Sequence, residues 1–304
     1  MTDVLAALVP VFALIALGAV LRRLDCVGDD AWRAVERLTY FVLFPCFLFG
    51  AIAFADFAGQ PVGRMALLLG MAMMAMVALV FPVRALLRLD GPAFTSLFQG
   101  AVRFNSYVAL GAIAAVLGDG GLALAAVAVA VMVPLANTLS VIVLMRHAGE
   151  GAAGVGTLAR LLARNPLVLA CAAGILVHVA GAGVPGVAAG AVGRLGGAAL
   201  PLGRRAVGAS LDLGAARARR APILAAVGLK LLAMPLIVWA GSLALDVESA
   251  ARTAAVICAA VPGASSAYIL ARQLGGDAPL MANITTAQTL VAMATMPLVL
   301  WLLA

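Results

Sequence analysis

Apolar runs of about twenty residues recur along this chain from Val4 to Leu302, separated by short polar connections. A helix crossing a hydrocarbon core of roughly 30 Å needs about 20 apolar residues, so the pattern assigns lipid as the solvent for most of the surface. Sixty-five per cent of the residues are apolar and 11% are charged. No water-soluble domain of this length could hide that ratio in one core. The runs predict an all-α integral membrane protein of about ten spans: Val4 to Leu21, Val35 to Ala53, Val62 to Val83, Leu97 to Leu117, Leu122 to Met145, Pro166 to Val184, Val187 to Leu211, Pro222 to Leu243, Ala254 to Leu274 and Leu280 to Leu303. The first run follows Met1, Thr2 and Asp3, lacks a positive leader, and reads as a retained span rather than a signal peptide.

The basic excess, 20 Lys and Arg against 13 acids, is spread between the apolar runs, and no soluble basic domain exists to bind nucleic acid. Counted in alternate loops, one side collects Arg22, Arg23, Arg33, Arg37, Arg84, Arg88, Arg146, Arg160, Arg164, Arg217, Arg219, Arg220 and Arg272, and the other only Arg64 and Arg252. Lys and Arg are retained inside. The first set is therefore expected to be cytoplasmic and both termini outside, which requires an even number of spans. The four cysteines, Cys26, Cys46, Cys171 and Cys258, have neither disulfide nor metal-ligand spacing.

The longest connection, 147–165, is Gly-rich and basic and divides the chain into residues 1–146 and 166–304, with five spans in each part. Pro10 and Pro45 are 35 residues apart, as are Pro166 and Pro201, and Met132-Val-Pro-Leu135 in the fifth span is echoed by Thr295-Met-Pro-Leu298 in the tenth. Two halves of odd span number insert with opposite orientation. A 5+5 inverted repeat of the kind used by secondary transporters follows.

Polar residues inside spans mark the candidate site. Arg103-Phe-Asn-Ser106 lies in the fourth span, where a guanidinium at mid-depth costs about 2.5–3.5 kcal/mol on insertion scales and must face protein or water. In the ninth span, Val261-Pro-Gly-Ala-Ser-Ser-Ala267 combines a missing backbone donor at Pro262 with a flexible Gly263 and two hydroxyls. Spans 4 and 9 are therefore expected to be broken helices that line a cavity, with a half-helix N-terminus attracting an anion. The expected substrate-binding residues are Arg103, Asn105, Ser106, Pro262, Gly263, Ser265 and Ser266. Arg204, Arg205, Lys230, Asn283 and Gln288 form a second set of candidates, with snorkelling or interhelical hydrogen bonding as the competing readings.

Enzyme signatures are absent: there is no HExxH, GxSxG or Walker loop, and the two histidines are His147 and His178. The acids near spans, Asp56, Asp119, Asp246 and Asp277, fall at expected span ends. No catalytic residue, metal or cofactor is expected.

Leu38-Thr-Tyr-Phe-Val-Leu-Phe-Pro-Cys-Phe-Leu-Phe49 resembles the second helix of the auxin efflux carrier family, bacterial members included. Ala260-Val-Pro-Gly-Ala-Ser-Ser-Ala-Tyr-Ile-Leu-Ala-Arg-Gln-Leu-Gly-Gly-Asp277 resembles its ninth, and Ala199-Leu-Pro-Leu and Gly208-Ala-Ser-Leu its seventh. That family belongs to the bile-acid/auxin/arsenite-like transporter superfamily. The resemblance implies a ten-helix inverted repeat, two broken helices crossing beside the substrate, transport of auxin or small carboxylates without ATP, and assembly as a homodimer. Asn105 matches the polar residue of the first crossing, and Pro262 to Ser266 match the second. The chain departs from the family pattern at Gly263, Ser266, Arg204 and Arg205. The expected function is secondary transport of a small organic anion, a carboxylate, across a bacterial inner membrane. A sodium-coupled symporter of the bile-acid type is the alternative, and a membrane receptor or intramembrane enzyme the alternative of another class.

Overall fold

A computed structural model describes residues 2–24, 28–54, 62–148, 156, 160, 163–209, 219–264 and 266–303. Among them every regular element is a helix. Chain order gives α1 (Thr2–Arg23), α2 (Asp29–Leu38), a π-helical turn (Thr39–Leu43), α3 (Phe44–Ala53), α4 (Val62–Leu87), α5 (Gly91–Val102), α6 (Ser106–His147), α7 (Pro166–Val179), α8 (Gly186–Ala209) and α9 (Arg220–Gly228). A second π turn (Leu229–Ala233) leads into α10 (Met234–Ala244), followed by α11 (Ser249–Ala260), α12 (Ser266–Gln273) and α13 (Ala278–Leu303). Five helical runs among the described residues are long and apolar enough to cross a membrane: Val62–Leu87, Gly91–Gly118, Gly120–His147, Arg220–Ala244 and Ala278–Leu303. Large apolar side chains such as Leu86, Leu176, Val179 and Val187 are exposed, as lipid-facing residues of a multi-pass membrane protein are.

Local chemistry explains the irregular points. Each π turn precedes a proline, Pro45 or Pro235. The residue before it donates five residues back, Phe44 to Thr39 O and Met234 to Leu229 O. A proline supplies no N–H to the ladder, and the widened turn takes up the mismatch. Gly118 sits at φ 64° and ψ −158° and kinks α6 there, a conformation open to glycine alone at ordinary cost. Pro10 lies inside α1, whereas Pro166 is in the first turn of α7. The equal proline spacings in the two halves therefore do not mark equivalent helical positions.

The helices pack as two bodies that meet along α6, which also touches α1, α3, α7 and α8, and where α1 touches α13. In the first, α1 lies on α8 and α3 lies on both α7 and α8; in the second, α4, α5, α6 and α9 to α13 pack on one another. Lipid offers no hydrophobic drive for helix association, so close approach carries the packing. A Cβ on Gly196 would lie 2.9 Å from Phe47 Cα, and one on Gly174 would lie 3.0 Å from Ile52 Cβ. Glycine at those two points lets α7 and α8 seat against the α3 backbone. Each body draws on both halves of the sequence.

Candidate functional site

Helical geometry stops after Val102 and resumes at Ser106; it stops again after Ala260 and resumes at Ser266. The second interruption follows from Pro262, which cannot donate and which holds Val261 extended at φ −71° and ψ 153°. The first has no proline. There Arg103 is extended at φ −79° and ψ 150°. Asn105, also extended, caps α6: its Oδ1 accepts from Tyr107 N at 3.1 Å and Val108 N at 3.2 Å. The two interruptions touch, Asn105 N donating to Pro262 O at 2.8 Å.

Gln288 of α13 joins these parts. Its Oε1 accepts from Gly263 N at 2.9 Å. Its Nε2 donates to Gly100 O and Ala226 O, each at 2.9 Å. Gly100 O belongs to the last turn of α5, where carbonyls lack helical partners, and Ala226 O lies just before the second π turn. One amide therefore ties the last turn of α5 and α9 to the second interruption. A Cβ at Gly263 would lie 2.7 Å from that Oε1, so a side chain there would displace the Gln288 amide from its hydrogen bond.

Beside the crossing is a cavity of about 50 Å³ lined by residues of both bodies, among them Tyr40, Arg103, Ser106, Asn137, Leu167 and Ser266. A single water needs only about 10–15 Å³, so a small polar group has room. Arg103 is 8% exposed. Its Nη2 donates to Ser266 Oγ at 2.9 Å, while Nε and Nη1 have no hydrogen-bond partner. Ser106 and Ser266, the first residues of α6 and α12, bring two helix N-termini to the same space. The cavity thus offers a guanidinium with unused donors, two hydroxyls and the positive ends of two helices, a set suited to an oxyanion.

Of the residues expected from sequence, Arg103, Ser106 and Ser266 meet at the cavity. Asn105, Pro262 and Gly263 shape the crossing without lining it, and Gln288 holds it from behind. Lys230 and Asn283 are buried in the second body and do not line the cavity. Ser265 and the side chains of Arg204 and Arg205 lie outside the described residues. Sequence reading missed Tyr40 and Asn137. Tyr40 sits in the first π turn, and such turns gather at functional sites; the signal was Pro45, five residues later. Removing the α6 cap should be measurable: Asn105→Ala is expected to lower stability by about 1 kcal/mol, seen in thermal unfolding of the purified protein, with Asn105→Ser retaining most of it.

No curated protein matches the chain. Residues 209–304, which contain the second interruption, Lys230 and Gln288, match the model of the sodium bile acid symporter family, and this similarity supports a place in the bile-acid/auxin/arsenite-like superfamily of secondary transporters.

Proposed function

We propose that this protein is a secondary transporter that moves a small organic anion, a carboxylate, by alternating access between its two bodies. The observation that carries this reading is Arg103, buried at the boundary of the two bodies with two guanidinium nitrogens unpartnered. A carboxylate there would take charge-assisted hydrogen bonds from Arg103 and neutral ones from Ser106 and Ser266. The interruptions at 103–105 and 261–264 act as the broken, crossing halves of spans 4 and 9. The halves 1–146 and 166–304 form the inverted repeat, joined by a cytoplasmic 147–165 connection, with both termini outside and the inner membrane of a bacterium as the location. Within the superfamily, the auxin efflux carrier resemblance at Leu38 to Phe49 and Ala260 to Asp277 is the finer reading, and assembly as a homodimer goes with it.

A second reading has one observation in its favour. The matched family is described as sodium bile acid symporters, so coupling to sodium and a larger steroid-like carboxylate form the rival. Uptake by the reconstituted full-length protein separates them. The expected result is accumulation of a labelled small mono- or dicarboxylate from a panel, competed by other small carboxylates and not by cholate. Cholate uptake driven by an imposed sodium gradient would select the rival, and accumulation of none of these under any gradient would sink both.

A further inference from the structure

Lys230 is the single lysine of the chain. Its side chain is wholly buried in the second body, and Nζ has no hydrogen-bond partner. Nothing in the anion reading above uses it. Its surroundings are specific. Nζ lies 6.0 Å from the ring centroid of Phe104, in the first interruption just past the end of α5. The π turn that carries the lysine also packs on α11, whose last turn lies just before the second interruption. The lysine therefore stands at the C-terminal ends of α5 and α11, while the cavity with Arg103 lies at the N-terminal ends of α6 and α12. A helix C-terminus carries about half a negative charge and unpaired carbonyls. Two such ends form a cation-binding pole, and in secondary transporters with interrupted helices that pole is where a coupling ion can bind.

Two further observations bear on what occupies it. The described buried polar residues include no Asp or Glu, and the described residues contain no cluster of His, Cys, Asp and Glu able to hold a metal ion. At the crossing itself, Gly100 O and Ala226 O, carbonyls of the kind a sodium ion would gather, already accept from the Gln288 amide. The elements packed on the second π turn are α5, α9, α10, α11 and α13. Their ionisable groups are Arg220 at the exposed start of α9, and Arg252 and Cys258 on α11, with Arg252 bonded to Val247 O at the far end of that helix. Beyond these elements, the first interruption carries Arg103, which is turned to Ser266. No anion among these groups calls for the ammonium; the two helix ends do.

We propose that Lys230 is a tethered cation that fills the pole between the C-terminal ends of α5 and α11, so that this carrier works without sodium. The proposal rests on the transporter reading, yet it can be tested without any substrate, so its failure is distinguishable from failure of the uptake experiment. The test is thermal unfolding of the purified full-length protein in sodium chloride, choline chloride and methylammonium chloride at equal ionic strength. Wild type should unfold at the same temperature in all three. Lys230→Ala vacates the pole, and its unfolding temperature should rise by about 3 °C or more in sodium or methylammonium relative to choline, since a ligand that binds only the folded state raises it. Lys230→Ser gives the same comparison if the alanine variant does not fold. A sodium-dependent rise in wild type would overturn the proposal, and so would a vacated variant that responds to small cations no more than wild type does.

Discussion

Gln288→Leu should yield little folded protein. The substitution keeps bulk but leaves Gly263 N, Gly100 O and Ala226 O without the partner they share. Ala226 O keeps the Leu229 N–H as a donor, but Gly263 N and Gly100 O are stripped, and each buried backbone group without its partner costs about 1–3 kcal/mol, so even the low end sums to roughly 2 kcal/mol, a large share of a typical net stability of about 5–15 kcal/mol. The damage is not local, because the three groups lie in the last turn of α5, in α9 and in the second interruption. Gln288→Glu should fail in a different way: its carboxylate accepts from Gly263 N but cannot donate to the two carbonyls. Size-exclusion yield and thermal unfolding of both variants measure this. Wild-type behaviour of Gln288→Leu would mean that the crossing is held by packing alone.

Arg103→Gln should fold and lose substrate. Its one described hydrogen bond is to Ser266 Oγ, which a glutamine can replace, so expression should change little. Affinity for the anion is another matter. Loss of one charge-assisted hydrogen bond costs roughly 1.5–3 kcal/mol, about ten- to a hundredfold in affinity at 1.4 kcal/mol per decade. Arg103→Lys should recover part of that, since an ammonium keeps the charge without the planar fork. The measurement is the half-saturating concentration of the carboxylate that competes best in the uptake panel. Unchanged affinity in Arg103→Gln would return Arg103 to a packing role and make Arg204 and Arg205 the next residues to test.

The helical class and the second interruption of helical geometry were legible because each leaves a local mark. Apolar runs announce membrane helices, and Pro262 announces a stop through its missing donor. The stop before Asn105 also had a local mark, an asparagine ahead of a helical run, which is an N-cap signal; inside an apolar stretch it read as polarity alone. Gln288 was legible only as an amide facing another helix. Its partners are 188, 62 and 25 residues away along the chain, and nothing in the neighbouring residues names them. Tyr40 and Asn137 were hidden for a similar reason, since an aromatic or an amide within an apolar run has many uses before tertiary contacts choose one. The proline intervals have no counterpart in helical position, since Pro166 opens a helix while Pro10 lies within one, and equal intervals in sequence say nothing about position within a turn.

The drawing of each packed body from both halves of the chain has a consequence for biosynthesis. When α1 to α3 leave the ribosome, their partners α7 and α8 have not yet been made, so Phe47 and Ile52 must wait in lipid or against a chaperone for Gly196 and Gly174 to arrive. The second body waits longer. Gly100 O is made long before Gln288, and α13, the last described helix, carries the amide that satisfies it. Insertion into the bilayer and folding within it are therefore separated in time, and a ribosome that stalls between α5 and α13 leaves a nascent chain in which Gly100 O still lacks the amide that pairs it.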